Sequence, residues 1–364
     1  MAVAADTRLA PSFWSRYASR KFVIPDAATD PVGFYIGLKK ALVSLSCGPN
    51  NLPALLPMED ASLRVCLANE KELALVCRMI LPPPGSFLIA SDKKLTHDAA
   101  KKMGIPTPET LAPATPEALA SELSLRRGEF VLKPTQGSGS SGIRYNERLS
   151  EAQARAHWTR YGPILLQERI PREGQALGAS LLFDSQGSFI AGFSHRRLRE
   201  FPASGGPSSD REGILDESLI SDSRKLLESL KWRGVAMVEW KVHPVTGQRL
   251  LLEINPRFWG SLELAVRSGA NFPLWYALLA LRRPLPRSLA WRPGVRCRSM
   301  IPGEILRYCQ TPRREREPLR KFFSGLPRSA EEWDAEDLRG SLLLPILMLL
   351  LAIRPKYWRF LRRR

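Results

Sequence analysis

Between Gly234 and Gly260 the chain reads GVAMVEWKVHPVTGQRLLLEINPRFWG, and this stretch restricts the fold more than any other. Its apolar runs, 235–240 and 250–254, are rich in Val, Leu and Ile and are separated by Pro244-Val-Thr-Gly247. They predict two antiparallel strands joined by a turn. Glu239 falls on the first strand and Glu253 on the second, with Asn255 two residues later and so on the same face as Glu253. Hard oxygen donors on adjoining strands suit one or two Mg2+ or Mn2+ ions that also hold the phosphates of a nucleotide. Arg257, set just past the strand end by Pro256, places a cation beside those phosphates. A surface hairpin with solvated acids is the other reading of the same letters. Against it stands the carboxylate that follows a Leu-Leu-Leu run, because a buried acid needs a partner.

Length and composition leave room for such a site inside an ordinary globular protein. The 364 residues are 44% apolar and 25% charged, enough for two or three subdomains. Cys47, Cys66, Cys77, Cys297 and Cys309 are scattered without a CxxC pair or neighbouring histidines, which predicts reduced thiols in a cytoplasmic protein and no zinc site. The opening MAVAADTRLAPSFW has neither a basic start nor a long apolar core, so no secretory signal is expected. The net charge of +18 is uneven: from Arg282 onward, 20 Lys and Arg face 8 Asp and Glu. A basic balance raises nucleic acid as a partner, yet the basic residues fall in no nucleic-acid-binding motif.

From the start, residues 3–5 and 22–24 read as strands of a small α/β unit, with Asp30-Pro31 opening a helix over 32–45. Further strands are expected at 52–56 and 87–90, with a helix over 59–80 between them. Ser91 or Asp92 caps a helix that ends at Gly104 before Pro106. Lys93 lies in its first turn, where a cation gains nothing from the helix dipole, so it is either a ligand for phosphate or a solvated lysine. After a helix over 116–125, capped by Thr115, a strand delivers Lys133 into Pro-Thr-Gln-Gly137-Ser138-Gly139-Ser140-Ser-Gly142. Glycines and serines bring backbone N–H groups and hydroxyls against phosphate without Cβ clashes, although the same letters also suit a flexible hairpin. The lysine precedes the glycines and no GK[ST] follows, so this is not a Walker loop.

A helix over 151–161 leads to the strand Ile164-Leu-Leu-Gln167-Glu168-Arg-Ile170, where the Glu168 carbonyl and the Ile170 N–H could pair with the edge of an adenine ring or merely end a strand. A hairpin is expected from 179–183 and 189–193. His195, Arg196, Arg197 and Arg199 then form a dense cationic cluster before a Gly-Gly loop, suited to a carboxylate or phosphate substrate or else to solvent. A helix over 215–232 returns the chain to Gly234.

Taken in order, Asp92-Lys93, Lys133 with Gly137 to Gly142, Gln167 to Ile170, Glu239 and Glu253-Ile-Asn-Pro-Arg257 resemble the ATP-grasp superfamily over roughly residues 85 to 284. Within it the chain looks closest to the carbamoyl-phosphate-synthase-like branch and to carboxylate–amine ligases. The resemblance implies an α/β and α+β fold in which two α+β subdomains, 91–166 and 167–284, clasp ATP. A small Rossmann-like α/β domain, 1–90, is expected before them, and a basic C-terminal helical extension, 285–364, after them. It further implies that Lys93, Lys133 and the loop residues Gly137, Ser138, Gly139, Ser140 and Gly142 contact phosphates. Gln167, Glu168 and Ile170 then line the adenine site, and Glu239, Glu253 and Asn255 bind Mg2+. Where the family often has an acid for the ribose hydroxyls, this chain has Gln175, which hydrogen-bonds a diol without charge assistance, with Glu173 as a substitute. The first strand–helix unit of the preceding domain is expected to be missing.

What the resemblance implies chemically is transfer of the γ-phosphoryl group of ATP to a carboxylate and attack by an amine on the acyl phosphate. Lys133, Arg197 and Arg257 would neutralise developing charge. Bicarbonate activation, as in carbamoyl-phosphate synthesis, and a non-catalytic nucleotide- or nucleic-acid-binding protein are the alternatives. The expected partners are a small carboxylate and an amine. The apolar run 341–353 is shorter than the roughly 20 residues a bilayer-spanning helix needs, and it ends in basic and aromatic residues. That pattern predicts either peripheral contact with the inner face of a membrane or a helix packed on the core.

Overall fold

The computed structural model describes residues 1–346 except 47, 49–50, 138–140, 203–205, 327 and 344–345. The loop residues Ser138, Gly139 and Ser140, Cys47, and most of the run 341–364 therefore lie outside the described residues.

The N-terminal part begins with β1 (Ala2–Ala5) and β2 (Arg20–Val23), which pair in parallel as a two-stranded sheet. α1 (Pro31–Leu45) follows, opened by the Asp30 side chain, which accepts the Gly33 N–H at 2.8 Å. α2 (Asp60–Ala68) and α3 (Glu70–Leu73) replace the single long helix expected over 59–80; Asn69, at φ −121° and ψ 25°, breaks it. The expected strand at 52–56 is reduced to one bridge, Ala54 to Arg78. At 87–90 the expectation was wrong: Phe87 to Ala90 belong to a helix, α4 (Pro84–Ser91). Pro84 starts that helix, and Phe87 is buried in the N-terminal core while Ala90, one turn on, is buried in the core under the largest sheet. A short apolar run has no period of its own to tell strand from helix.

Next come α5 (Lys93–Lys102), β3 (Thr110–Leu111), α6 (Pro116–Leu125), β4 (Phe130–Pro134), β5 (Arg144–Tyr145), α7 (Glu151–Tyr161) and β6 (Ile164–Glu168). The four strands form one antiparallel sheet in the order β3-β6-β4-β5. Leu119 and Leu123 of α6 and Ala154 of α7 pack on Phe130, Leu132, Ile164 and Leu166.

The largest sheet is built from β7 (Ala176–Phe183), β8 (Phe189–Glu200), β9 (Ser208–Ile214), β10 (Gly234–Val242), β11 (Arg249–Asn255) and β12 (Arg296–Arg298). Its order is β11-β10-β7-β8-β9-β12. α8 (Glu217–Ser229) covers one face, and α9 (Leu262–Ser268) and α10 (Phe272–Ala280) cover the other. Successive residues of β10 divide accordingly. Ala236, Val238 and Trp240 join Leu226 and Leu227 of α8, while Val235 and Met237 join Trp275 and Tyr276 of α10. Buried aromatic residues of this size are each worth about 3–5 kcal/mol against truncation to alanine. The Tyr276 hydroxyl donates to the Ile80 carbonyl at 3.0 Å and accepts its N–H at 2.8 Å, which ties the N-terminal part to this sheet.

Past β12 lie the α-helices α11 (Ile305–Gln310) and α12 (Leu319–Phe322), with single helical turns at Met300–Glu304 and Arg313–Glu315. The segment after 284 thus contributes an edge strand to the main sheet, with Arg296, Cys297 and Arg298 paired to β9. Among the described residues no helix is long and apolar enough to cross a membrane. Cys66, Cys77, Cys297 and Cys309 are free thiols.

Candidate active site

The β10–β11 hairpin sets Glu239 directly opposite Glu253, and Met237 opposite Asn255. Both acids continue the face of Val235 and Met237, past the end of the apolar core, where α10 no longer covers the sheet. Asn255 Nδ2 donates to Glu239 Oε1 at 3.1 Å, so the three predicted metal ligands meet in one place. Two carboxylates and an amide oxygen are an all-oxygen donor set of the kind Mg2+ or Mn2+ takes, and the residues fit such an ion. Among the described residues no group of three or more His, Cys, Asp and Glu forms a further metal cluster.

Protein cations already balance these acids. Arg197 Nη2 lies 2.6 Å from Glu239 Oε2, and Lys93 Nζ lies 3.3 Å from Glu253 Oε2. Burial and the adjacent Glu253 push the Glu239 carboxyl above the usual range, with Arg197 opposing them. For Glu253 burial acts in the same upward direction, but Lys93 and Lys133 outweigh it and hold its carboxyl below the usual range.

Lys93 is positioned by its own backbone. Asp92 caps α5 by accepting the Leu95 N–H at 3.1 Å, and the Lys93 N–H donates to the Thr135 carbonyl at 2.8 Å. Its ammonium also donates to the Gly137 carbonyl at 3.0 Å, at the mouth of the glycine-rich loop. Lys133 on β4 donates to Gln167 Oε1 on β6 at 2.7 Å, and Gln167 in turn donates to Thr110 Oγ1 at 2.9 Å. Burial lowers the Lys133 ammonium to about 8, with Glu253 partly restoring it.

One cavity gathers Lys93, Lys133, Gly137, Gln167, Glu168, Ile170, Arg197, Glu239 and Glu253. Tyr145, Glu200, Arg172 and Lys241 line it too, and no local motif marks them. Lys241 Nζ donates to the Ile170 carbonyl at 3.3 Å, a link between the hinge after β6 and the main sheet. Gln175 is exposed and is not among the lining residues; its carbonyl accepts the Val242 N–H at 2.9 Å. Gly142 is held at φ +74° behind the loop, where an added Cβ would meet Pro134 and Tyr161 at 2.8 Å. Asn255 and Arg257 border the adjoining cleft, where Arg257 Nη2 donates to Asn255 Oδ1 at 3.3 Å and Nε to Asp60 Oδ2 at 3.2 Å.

The four-residue cationic cluster does not converge. It lies on the last residues of β8, before the connection to β9, and alternation along the strand with a bulge after Arg197 sends its members apart. Arg196 pairs with Glu212, Arg199 with Glu304 and Glu317, and only Arg197 reaches the cavity. His195 is buried over Gly178 of β7, whose added Cβ would sit 2.3 Å from its ring. Burial and the flanking Arg197 and Arg211 lower its imidazole to about 3. A different histidine serves the site indirectly: His97 Nε2 bonds the Leu252 carbonyl at 3.0 Å, one residue before Glu253.

A family model described as an ATP-grasp domain matches residues 90–261. The N5-carboxyaminoimidazole ribonucleotide synthase of Synechococcus elongatus is 27% identical over 242 residues, covering 62% of this chain and 56% of that protein. The chain thus spans little more than half the length of that relative. Among solved structures, biotin carboxylase from Campylobacter jejuni in its β-γ-ATP complex superposes with a TM-score of 0.62 at 16% identity, over 81% of this chain and 68% of that one. L-amino acid ligase from Bacillus licheniformis superposes with a TM-score of 0.55 at 16% identity, over 76% and 67%.

Proposed function

From the match of residues 90–261 to an ATP-grasp domain, we propose that this chain is an ATP-dependent ligase that activates a carboxylate and joins it to an amine. The observation that carries this reading is the facing pair Glu239 and Glu253 in a cavity that also holds Lys93, Lys133 and Arg197. Acids that suit a divalent cation and cations that suit phosphate face each other across one space.

In the reaction, an oxygen of the substrate carboxylate bonds to the γ-phosphorus as the bond from that phosphorus to the β–γ bridging oxygen breaks. ADP leaves with the bridging electrons. The amine then adds to the acyl carbon, loses a proton, and expels phosphate. A bound Mg2+ or Mn2+, held by Glu239, Glu253 and Asn255, supplies charge neutralisation at the phosphates. Lys93 and Lys133 orient the phosphate tail, and Arg197 and Arg257 stabilise charge on the group in transfer. The Glu168 carbonyl and the Ile170 N–H hold the adenine edge. No side-chain nucleophile is required.

Release of ADP from MgATP, screened against pools of carboxylic acids, amino acids and amines, tests the reading. Absence of ADP release with every pool, in protein that is folded, would count against it. Bicarbonate, present in the solved complex of a biotin carboxylase domain whose fold this chain resembles, is the second acceptor to include. The setting proposed is cytoplasmic, with residues 341–364, apolar and then basic by sequence, touching an anionic membrane surface. Flotation with anionic liposomes, with and without 341–364, checks that contact.

A further inference from the structure

The short helix α12 holds an apolar pair in solvent on a fixed base. Phe322 is buried, its ring centroid lies 4.5 Å from that of Tyr308, and its carbonyl accepts Arg298 Nη1 at 2.8 Å. With Met300 and Ala330 it forms a small core on which Leu326 and Trp333 also pack. On the outer side, Leu319 and Phe323, one turn apart, are 58% and 53% exposed. Because Phe322 pins the helix from below, this exposure belongs to the fold. A lone apolar residue in solvent is ordinary, but here the same stretch is also basic.

Arg320 and Lys321 lie between the pair in sequence, and Arg313 and Arg314 lie just before it. Arg313, Arg320 and Lys321 are exposed and, among the described residues, pair with no acid. The Arg314 side chain is 85% exposed. The nearby acids are engaged already, Glu317 with Arg199 and Arg307, and Glu315 with Arg314. By contrast Arg199, Arg298 and Arg307, in the network beneath, all reach the Glu304 carboxylate. Cations that hold the fold are thus distinct from cations left for something outside it.

Charge decides among the occupants. A second copy docked through the same face would set like charges against each other. The chain's own end is disfavoured for the same reason, because residues 354–364 carry six Lys and Arg and no acid. A nucleic acid would engage the cations and leave Leu319 and Phe323 in water. A bilayer with anionic headgroups satisfies both, since the cations stay at headgroup level while the apolar pair enters the acyl boundary.

We infer that α12 inserts Leu319 and Phe323 into an anionic membrane surface. The inference shares its partner with the tail contact proposed above and rests on residues outside 341–364. The two elements leave the same small core, because Leu338 follows Trp333 by five residues. A helix begins at Leu338, and Leu338, Leu342 and Ile346, each four residues on, are 49%, 63% and 53% exposed. Asp337 fixes its start by accepting the Gly340 N–H at 3.1 Å and the Arg16 N–H at 3.0 Å. Two weak contacts on one folded body reinforce each other, so the pair of elements binds more tightly than either alone.

The test is flotation of the full chain with vesicles of phosphatidylcholine alone and of phosphatidylcholine mixed with phosphatidylserine. Native protein is expected to float with the mixed vesicles and not with the neutral ones. Leu319→Ser with Phe323→Ser, and separately Arg320→Ser with Lys321→Ser, change exposed positions, so urea midpoints should match the native one. Losing a cation near the surface weakens partition about fivefold, so the second pair, like the first, should lower it at least tenfold. Leu342→Ser with Ile346→Ser reads the tail separately. Native flotation of both α12 variants, with loss in the tail variant, overturns this inference and leaves the tail contact standing. Loss in the α12 variants alone does the reverse. Flotation of native protein with neither vesicle overturns both, and a DNA shift in that protein, relieved in the Arg320 and Lys321 variant, assigns the surface to nucleic acid instead.

Discussion

Arg197 reaches across β7 to Glu239, placing Nη2 2.6 Å from Oε2, so a guanidinium occupies the oxygen that a divalent cation would take. The same arginine donates to Glu200 Oε1 at 3.3 Å, which gives it a second anchor when Glu239 turns to a metal. On the proposed reaction, Arg197→Ala therefore removes both a competitor for the metal ligand and the cation assigned to the transferred group. A loss of roughly 10²–10³ in kcat is expected, as for other lost stabilisers of developing charge. The MgATP Kd should stay within a few-fold. Unchanged kcat and unchanged KM for both co-substrates in steady-state kinetics would remove Arg197 from the site.

The two facing acids are not equivalent, and their amide variants should show it. Glu253 is held ionised by Lys93 and Lys133, whereas burial and the neighbouring acid work against ionisation of Glu239. Glu253→Gln leaves the two lysines without their carboxylate, so metal-free ATP should bind more tightly than to the native chain while the enhancement by Mg2+ disappears. Glu239→Gln leaves Arg197 paired with Glu200 instead and should weaken the Mg2+ enhancement with little effect on metal-free binding. Calorimetric titrations with and without Mg2+ read both quantities. Identical behaviour of the two variants would contradict the asymmetry.

Lys133 titrates near 8 because burial disfavours its charged form, and a phosphate tail beside it favours that form. Binding of MgATP should therefore take up protons above about pH 8, where the nucleotide-free lysine has lost its proton and the bound one keeps it. The measurement is calorimetry at pH 8.5 in buffers of different ionisation enthalpy, where the apparent binding enthalpy should vary with the buffer. Lys133→Met should abolish the buffer dependence. If native protein shows no uptake, Lys133 is not beside the phosphates.

Much of this arrangement was legible locally. The turn 244–247 and the two-residue period put Glu239 and Glu253 face to face, and Asp30, Asp92 and Thr115 marked helix starts that their side chains do cap. What depends on strand order was not legible. Arg197 meets Glu239 only because β8 lies two places from β10, and Arg199 leaves the cluster for Glu304, 105 residues away. Nor does any local pattern bring His97 to the Leu252 carbonyl, or Asp60 of α2 to Arg257. At Phe87 to Ala90 the failure had another cause: four consecutive apolar residues show no periodicity, whereas in the helix Phe87 packs in the N-terminal core and Leu88 is left exposed.

Arg199 belongs instead to a buried network whose charge balance makes a prediction about acid stability. Glu304 is fully buried and accepts from Arg199 Nη1 at 2.8 Å, Arg298 Nη2 at 3.1 Å, Arg307 Nε at 2.9 Å and Ser209 Oγ at 2.7 Å. Burial raises its carboxyl, but the bonds from Arg307, Ser209 and Arg199 prevail and bring it to about 2. A folded-state value below the ordinary 4.5 means that the stabilisation is complete above 4.5 and is lost as the pH falls from 4.5 through 2. Glu304→Gln keeps the shape and removes the charge, leaving Arg298 buried without its carboxylate. Breaking a buried pair in this way costs about 3–5 kcal/mol, so at pH 7 the variant's urea midpoint should fall well below that of the native chain. At pH 3 the gap should have narrowed, because the unfolded native chain is by then protonated at this glutamate. A gap that stays constant from pH 7 to pH 3 would show that the carboxylate is not held by these arginines.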